Sequence, residues 1–327
     1  MEERLQEILR IAMKYGVTDI HFSSQEDSDR VNIEMRIKGN MKRLKAKDAD
    51  VKLLYYLMYK ANLDISNALA PQTGRFEECI ENEKLSLRFS IVSSYHMKSG
   101  VLRILNNHSA LGIEQLSDDP ETREWLSQIT VHRNGLYIFS GPTGSGKTTS
   151  LYTILNACRE KKIYTLEDPI EVVNRNYVQL QINDRMGFSY AEGIKQLMRQ
   201  DPDIIMIGEI RDTLAATMAV RCALTGHLVV TSLHSFSCIS ALHRMEELGV
   251  ERYHLQDVLT GISCQRLYDT EDGRKTGIYE FMNHKEVMNY FERGQAGCSF
   301  VPLSEKIRTA VDKGIISYQK AEADLIG

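Results

Sequence analysis

Residues 136–155 read LYIFSGPTGSGKTTSLYTIL. The apolar run at 136–139 predicts a buried strand, and from 148 onward the pattern turns helical. Between them, Gly141-Pro142-Thr143-Gly144-Ser145-Gly146-Lys147-Thr148 satisfies GxxxxGK[ST] in full. That chemistry needs those residue types. Glycines let backbone N–H groups curl around a phosphate, and the following helix N-terminus adds a favourable dipole. Lys147 can reach the β- and γ-phosphates, and the Thr148 hydroxyl can ligate Mg²⁺. Gly141, Thr143, Gly144, Ser145, Gly146, Lys147, Thr148 and Thr149 are therefore the expected nucleotide-binding residues.

The same rhythm continues downstream. Apolar strands at 163–166, 204–207 and 228–231 are separated by helical patterns around 148–159, 190–200, 212–224 and 238–248. This alternation implies an α/β fold with a mostly parallel, helix-covered sheet. Such sheets bind ligands at the C-terminal ends of their strands, and acidic residues stand there. Glu209 ends the run DIIMIGE and is the candidate for polarising an attacking water. Glu167-Asp168-Pro169-Ile170-Glu171 follows the strand at 163–166, which makes Glu167 a second candidate for holding Mg²⁺ or water, with Asp168 beside it. Thr148, Glu209 and Glu167 form the expected magnesium set.

His227 and His234 bracket the strand HLVVTSLH. Seven residues apart in an extended strand, they face opposite sides and cannot form a simple metal pair. A histidine just past a strand end can hydrogen-bond a γ-phosphate or its water. An ordinary structural histidine fits the pattern equally well.

The first hundred residues suggest a smaller α+β unit. Leu5, Ile8, Leu9, Ala12 and Met13 recur at helical spacing, closed by Gly16. Strands are expected at 19–23, 31–37, 85–90 and 101–105, with a helix from about 51 to 61 and a hairpin turn at Lys38-Gly39-Asn40. The segment MRIKGNMKRLKAK carries six basic residues in thirteen and reads as a solvated hairpin. The expected organisation is an N-terminal domain over 1–108, a linker over 109–134 and an ATPase-type domain over 135–327 ending in a helical region. One helix is expected in the linker, N-capped by Asp119 with Pro120 at its first position.

Composition sets the outer bounds. The 327 residues are 43% apolar and 26% charged, as in an ordinary globular protein with room for two domains. Forty Lys and Arg against forty-four Asp and Glu give a net charge of −4, which weighs against a protein that coats a polyanion. The apolar runs fall well short of the ~20 residues of a membrane span. The start, MEERLQEILR, is acidic and amphipathic, unlike a secretory signal or transit peptide, so a soluble cytoplasmic chain is expected. Cys79, Cys158, Cys222, Cys238, Cys264 and Cys298 form no CxxC pair. They read as reduced, mostly packed thiols, and no zinc site is expected.

Taken together, these stretches resemble the secretion ATPase family of type II secretion, type IV pilus and competence systems. GPTGSGKTT looks like its Walker A motif, TLEDPIE its aspartate box, RQDPDIIMIGEIRD its Walker B motif and TGHLVVTSLH its histidine box. TDIHF, PQTGRF, SLRFS, VLRIL and SCQRL are smaller matches, so the resemblance covers nearly the whole chain. It implies an ATP- and Mg²⁺-dependent homohexameric motor with an N-terminal (PAS-like) domain hinged to a RecA-like domain. By position, Arg88 and Arg103 match family arginines that approach the nucleotide phosphates, and His234 falls in the histidine box. The resemblance further implies a polytopic inner-membrane platform protein as partner, reached from the cytoplasmic face of the membrane without a span of the chain's own.

Departures narrow the subgroup. No tetracysteine zinc module follows Cys264-Gln265-Arg266-Leu267, and TGIYEFM looks like assembly ATPases more than retraction ones. The resemblance is closest to the small competence pilus assembly ATPases of Gram-positive bacteria. The alternatives are a pilus retraction or other type II secretion ATPase and, from another class, a nucleic-acid-translocating RecA-like ATPase, with which the net charge agrees poorly. TSLHSFS departs from the family's commoner TLHTN, which leaves Ser235 and Ser237 without an assigned role.

Overall fold

The computed structural model describes all residues except 26–29, 38–39, 48–49, 67–69, 95, 106–110, 184–186 and 327. The chain divides into two units, residues 1–107 and 108–327. The first contains α1 (Glu2–Lys14), β1 (Asp19–Gln25), β2 (Val31–Ile37), β3 (Asn40–Arg43), α2 (Asp50–Lys60), β4 (Gln72–Ile80), β5 (Glu83–Ser94) and β6 (Met97–Leu105). The strands pair antiparallel in the order β3-β2-β1-β6-β5-β4.

Alternation decides which face of this sheet is covered. Leu85, Leu87, Phe89 and Ile91 of β5 are buried, as are Leu102 and Ile104 of β6, and they form one core with Leu5, Ile8 and Leu9 of α1 and Leu53 and Leu57 of α2. The two helices are also joined by charge. Arg4 donates from Nε and Nη2 to the two oxygens of the fully buried Asp50, at 2.9 and 3.0 Å, the bidentate geometry that makes such a pair strong.

Two strands lie beyond the sequence expectation. β3 is four residues long, and β4 carries Glu78 at a core-facing position, where Lys60 pairs with it at 2.6 Å. Both are edge strands, in which a clean apolar alternation is not required. Of the expected hairpin turn, Lys38 and Gly39 lie outside the described residues. Ile37 and Asn40 stand opposite each other in the β2–β3 ladder.

The second unit begins with α3 (Pro120–Val131). Asp119 caps it by accepting from Glu121 N, and Pro120 takes the first position as expected. There follow β7 (Gly135–Ser140), α4 (Lys147–Ala157), β8 (Ile163–Glu167), β9 (Val178–Gln181), α5 (Tyr190–Leu197), β10 (Ile204–Ile207), α6 (Thr213–Leu224), β11 (Leu228–Leu233) and α7 (Cys238–Glu247). The unit closes with α8 (Arg252–Val258), β12 (Leu259–Asp269), β13 (Lys275–Asn283), α9 (His284–Arg293), α10 (Leu303–Asp312) and α11 (Tyr318–Leu325). Its sheet runs β13-β12-β7-β11-β10-β8-β9, parallel except for the β12–β13 pair.

The stretch expected as linker contains α3, which packs against this sheet. Trp125 and Leu126 are buried, and the Trp125 ring stacks on Phe281 at 5.1 Å. β12 and β13 follow no helix-alternating pattern, and the sequence reading has no strand there. Of the six free cysteines, Cys158, Cys222, Cys238 and Cys264 are buried, and Cys79 and Cys298 are exposed.

Candidate nucleotide-binding site

The strand–loop–helix of residues 135–157 forms as the sequence requires, with β7 entirely buried and α4 starting at Lys147. Two glycines show why the loop needs them. A Cβ on Gly141, at φ +142°, would sit 2.6 Å from Gln265 O and 2.7 Å from Ser145 Oγ. Gly144, at φ +80°, faces open space, with nothing within 4 Å of a Cβ position. Thr143 and Gly144 are exposed, and Thr148 and Thr149 half-buried, in the first turn of α4.

Lys147 is only 8% exposed and donates from Nζ to Gly141 O at 2.7 Å and Pro142 O at 3.0 Å. Burial lowers its pKa, and the carboxylates of Glu209 and Glu171 oppose that shift. The Ser145 hydroxyl is buried and makes no hydrogen bond among the described residues. A buried ammonium held by loop carbonyls, a buried hydroxyl without a partner and an open glycine at a helix N-terminus together fit a phosphate group.

The neighbouring strand ends are laced by main-chain bonds. Gly208 N donates to Leu166 O at 2.7 Å and Ile210 N to Ser232 O at 2.9 Å, while Ser232 Oγ donates to Gly208 O at 2.6 Å. This brings Glu209 and His234 together, with His234 Nε2 3.2 Å from Glu209 Oε1. Arg211 donates to the other oxygen of Glu209 from Nε at 2.9 Å and pairs with Asp168 at 3.3 Å. Its hydrogen bond to Glu209 raises the Arg211 pKa above its ordinary value. By strand spacing, the ends of β7 and β10 are roughly 10 Å apart with β11 between them, the scale of a phosphate chain and a water.

Glu167 stands on the same sheet edge in a different environment. It is 3% exposed and accepts from the Tyr152 hydroxyl at 2.8 and 2.9 Å and from Thr165 Oγ1 at 2.7 Å. Gln179 Nε2 adds a fourth contact at 3.2 Å. Burial pushes its carboxyl pKa above the usual 4.5, against the pull of those hydrogen bonds. A carboxylate so engaged orders α4 and β9 around itself. Its oxygens are met by Tyr152, Thr165 and Gln179, whereas Glu209 is 21% exposed.

His227 stands apart from this edge. It precedes β11, whereas His234 follows it, so the six residues of β11 separate His227 from the phosphate-loop edge by roughly 20 Å. Its Nδ1 lies 3.1 Å from Cys222 O and 3.0 Å from Thr225 Oγ1, at the end of α6. The altered histidine box also gains a role: Ser237 N-caps α7, accepting from Ser240 N at 3.1 Å, and Ser235 shares a 2.6 Å hydrogen bond with Ser240.

In the first unit, the ladders place Arg75 opposite Arg88, Arg88 opposite Arg103, and Arg103 opposite Asp19. Residues directly opposite share a face. A row of three arginines therefore crosses β4, β5 and β6 and ends at Asp19, which pairs with Arg103 at 2.6 Å. Arg75, Arg211 and Gln265 are site-facing or row-forming residues that sequence reasoning did not single out. Arg211 stands two residues from Glu209, while Arg75 and Gln265 sit inside the quoted stretches PQTGRF and SCQRL.

A family model described as "Type II/IV secretion system protein" matches residues 1–316. The chain belongs to this family. It is 30% identical to "Competence protein ComGA" of Bacillus subtilis (strain 168), over 97% of this chain and 96% of that protein. It is 37% identical to "Putative type II secretion system protein E" of Escherichia coli (strain K12), over 80% of this chain and 53% of that one. The chain thus spans about half the length of the latter relative. Its fold is that of the solved Legionella pneumophila ATPase DotB, with a TM-score of 0.76 over 99% of this chain and 95% of that one at 18% identity. The chain is accordingly an ATP-hydrolysing enzyme of the secretion and pilus traffic class.

Proposed function

We propose that this ATPase is the hexameric motor that powers assembly of a competence-type pilus for DNA uptake. The observation that carries this reading is the similarity to a competence protein through both units, over 97% of the chain. In this reading the loop 141–148 binds ATP. Thr148 and Glu209 hold magnesium, which neutralises phosphate charge when bound. Glu209 takes the proton of the attacking water, with His234 and Arg211 fixing its carboxylate. Arg88 and Arg103 supply positive charge to the nucleotide, for which a guanidinium fork is well suited.

Among the described residues, no helix is long and apolar enough to cross a membrane. The motor works from the cytoplasmic side through a polytopic membrane platform protein. The test is genetic and direct. Deleting the gene should abolish surface pili and DNA uptake, and restoring it as Glu209→Gln should rescue neither. Pili that persist in the deletion strain but no longer retract would transfer the protein to the retraction class.

A further inference from the structure

Gln265 lies on β12, is 1% exposed, and reaches across to the phosphate loop. Its Nε2 donates to Ser145 O at 2.7 Å and to Ser150 Oγ at 3.2 Å. Ser150 belongs to the first turns of α4; its hydroxyl lies 3.1 Å from Gly146 O and 2.7 Å from the hydroxyl of the fully buried Tyr279 on β13. The main chain of β12 also comes close, since Gln265 O would stand 2.6 Å from a Cβ on Gly141. A single amide from another hairpin thus fixes the carbonyl of one loop residue and the start of α4.

We propose that Gln265, backed by Ser150 and Tyr279, is a positioning residue that holds the phosphate loop in its binding shape. The loop's N–H groups can converge on a phosphate only if its carbonyls are turned away and satisfied. Ser145 O is buried against Gln265, whose amide is the donor that keeps it there. The strut also links the loop to the C-terminal region, because the adjacent Arg266 donates from Nε to Asp324 Oδ1 of α11 at 3.0 Å. This inference rests on the reading of residues 141–148 as the ATP site.

The experiment compares the full-length protein with Gln265→Ala, Gln265→Glu, Tyr279→Phe and Lys147→Ala, measuring Tm, KM for ATP and kcat. Gln265→Ala should raise KM by roughly 10- to 100-fold, as a small misplacement of a binding group does, with a folded protein by circular dichroism. Gln265→Glu keeps the volume but offers Ser145 O no proton while ionised. Its KM should match that of Gln265→Ala near neutral pH and recover towards wild type as the pH falls and the carboxyl regains a proton. Packing alone would produce no such recovery. Tyr279→Phe removes only the hydroxyl behind the strut, and a KM rise of about 2- to 5-fold is expected. A wild-type KM in Gln265→Glu at neutral pH, or in folded Gln265→Ala, overturns the proposal while an impaired Lys147→Ala leaves the ATP site standing. Unchanged ATP affinity in Lys147→Ala overturns both.

Discussion

His234 Nε2 and Glu209 Oε1 lie 3.2 Å apart at the ends of adjacent parallel strands, and Arg211 holds the other oxygen of the same carboxylate at 2.8 Å. Glu209 is 21% exposed, so it is both fixed in direction and open to a water. Glu209→Gln keeps the shape and removes the proton acceptor. It should bind Mg·ATP with near-normal affinity and turn over at least ~10²-fold more slowly. Single-turnover and steady-state ATPase assays with a parallel binding titration check this, and unchanged turnover would place the base elsewhere.

Glu167 gives a prediction of opposite character. Its carboxyl pKa is raised above 4.5 by burial, so the folded chain holds that proton more tightly than the unfolded chain. The ionised side chain therefore costs stability above the raised value, and the cost fades as the pH falls towards 4.5. Glu167→Gln removes the charge, and its amide can still accept from Thr165 and Tyr152. The variant should melt no lower than wild type near neutral pH, with its advantage shrinking on acidification. Turnover should stay within about tenfold of wild type. A loss of a hundredfold or more in a folded variant would instead place Glu167 among the reacting groups.

The contrast between these two glutamates shows what sequence can and cannot convey. Both follow apolar strands, and both were expected at the C-terminal edge of the sheet, where the structure has them. Their different surroundings come from Tyr152, Thr165 and Gln179 on one side and from Arg211 and His234 on the other. Those partners are set by tertiary packing, which strand periodicity does not encode. The strand–loop–helix of residues 135–157 was legible because its signal is local to consecutive residues. Gln265 was not, because its role depends on β12 lying beside β7, a pairing across more than a hundred residues of chain. The two histidines are alike in sequence for a related reason: a histidine at either end of a strand looks the same until the strand's direction in the sheet is known.

Lys147 carries its charge in a buried place and spends its hydrogen bonds on two loop carbonyls. Because burial lowers its pKa, the folded chain holds this proton less tightly than the unfolded one, and the charge opposes folding at every pH below the lowered value. Lys147→Ala should therefore lose most ATP affinity, by roughly 10²-fold for a charged phosphate contact, without a matching loss of stability. Thermal melts without nucleotide should be close to wild type, and the upward shift of Tm on adding ATP analogue should disappear.

The arginine row allows a clean separation of folding from function. Arg103 is 46% exposed, and its partner Asp19 lies 2.6 Å away. An exposed ion pair of this kind contributes about 0–1 kcal/mol, so Arg103→Ala should leave the first unit folded with little change in Tm. Arg88 stands opposite Arg103 in the ladder and away from the buried Leu87 and Phe89, so Arg88→Ala should also spare the core. If both arginines serve the nucleotide, each alanine variant should show near-normal ATP-analogue binding, since the loop at 141–148 is intact. Turnover should then fall by roughly 10- to 1,000-fold, the range of losing one donor to a developing charge. Arg75→Ala completes the series. An equal loss there would extend the functional row to three residues, while an unaffected turnover would confine it to β5 and β6. A protein comprising residues 108–327 should likewise bind ATP analogue and hydrolyse ATP poorly. Full turnover in that protein, or in Arg88→Ala and Arg103→Ala together, would reduce the row to sheet architecture.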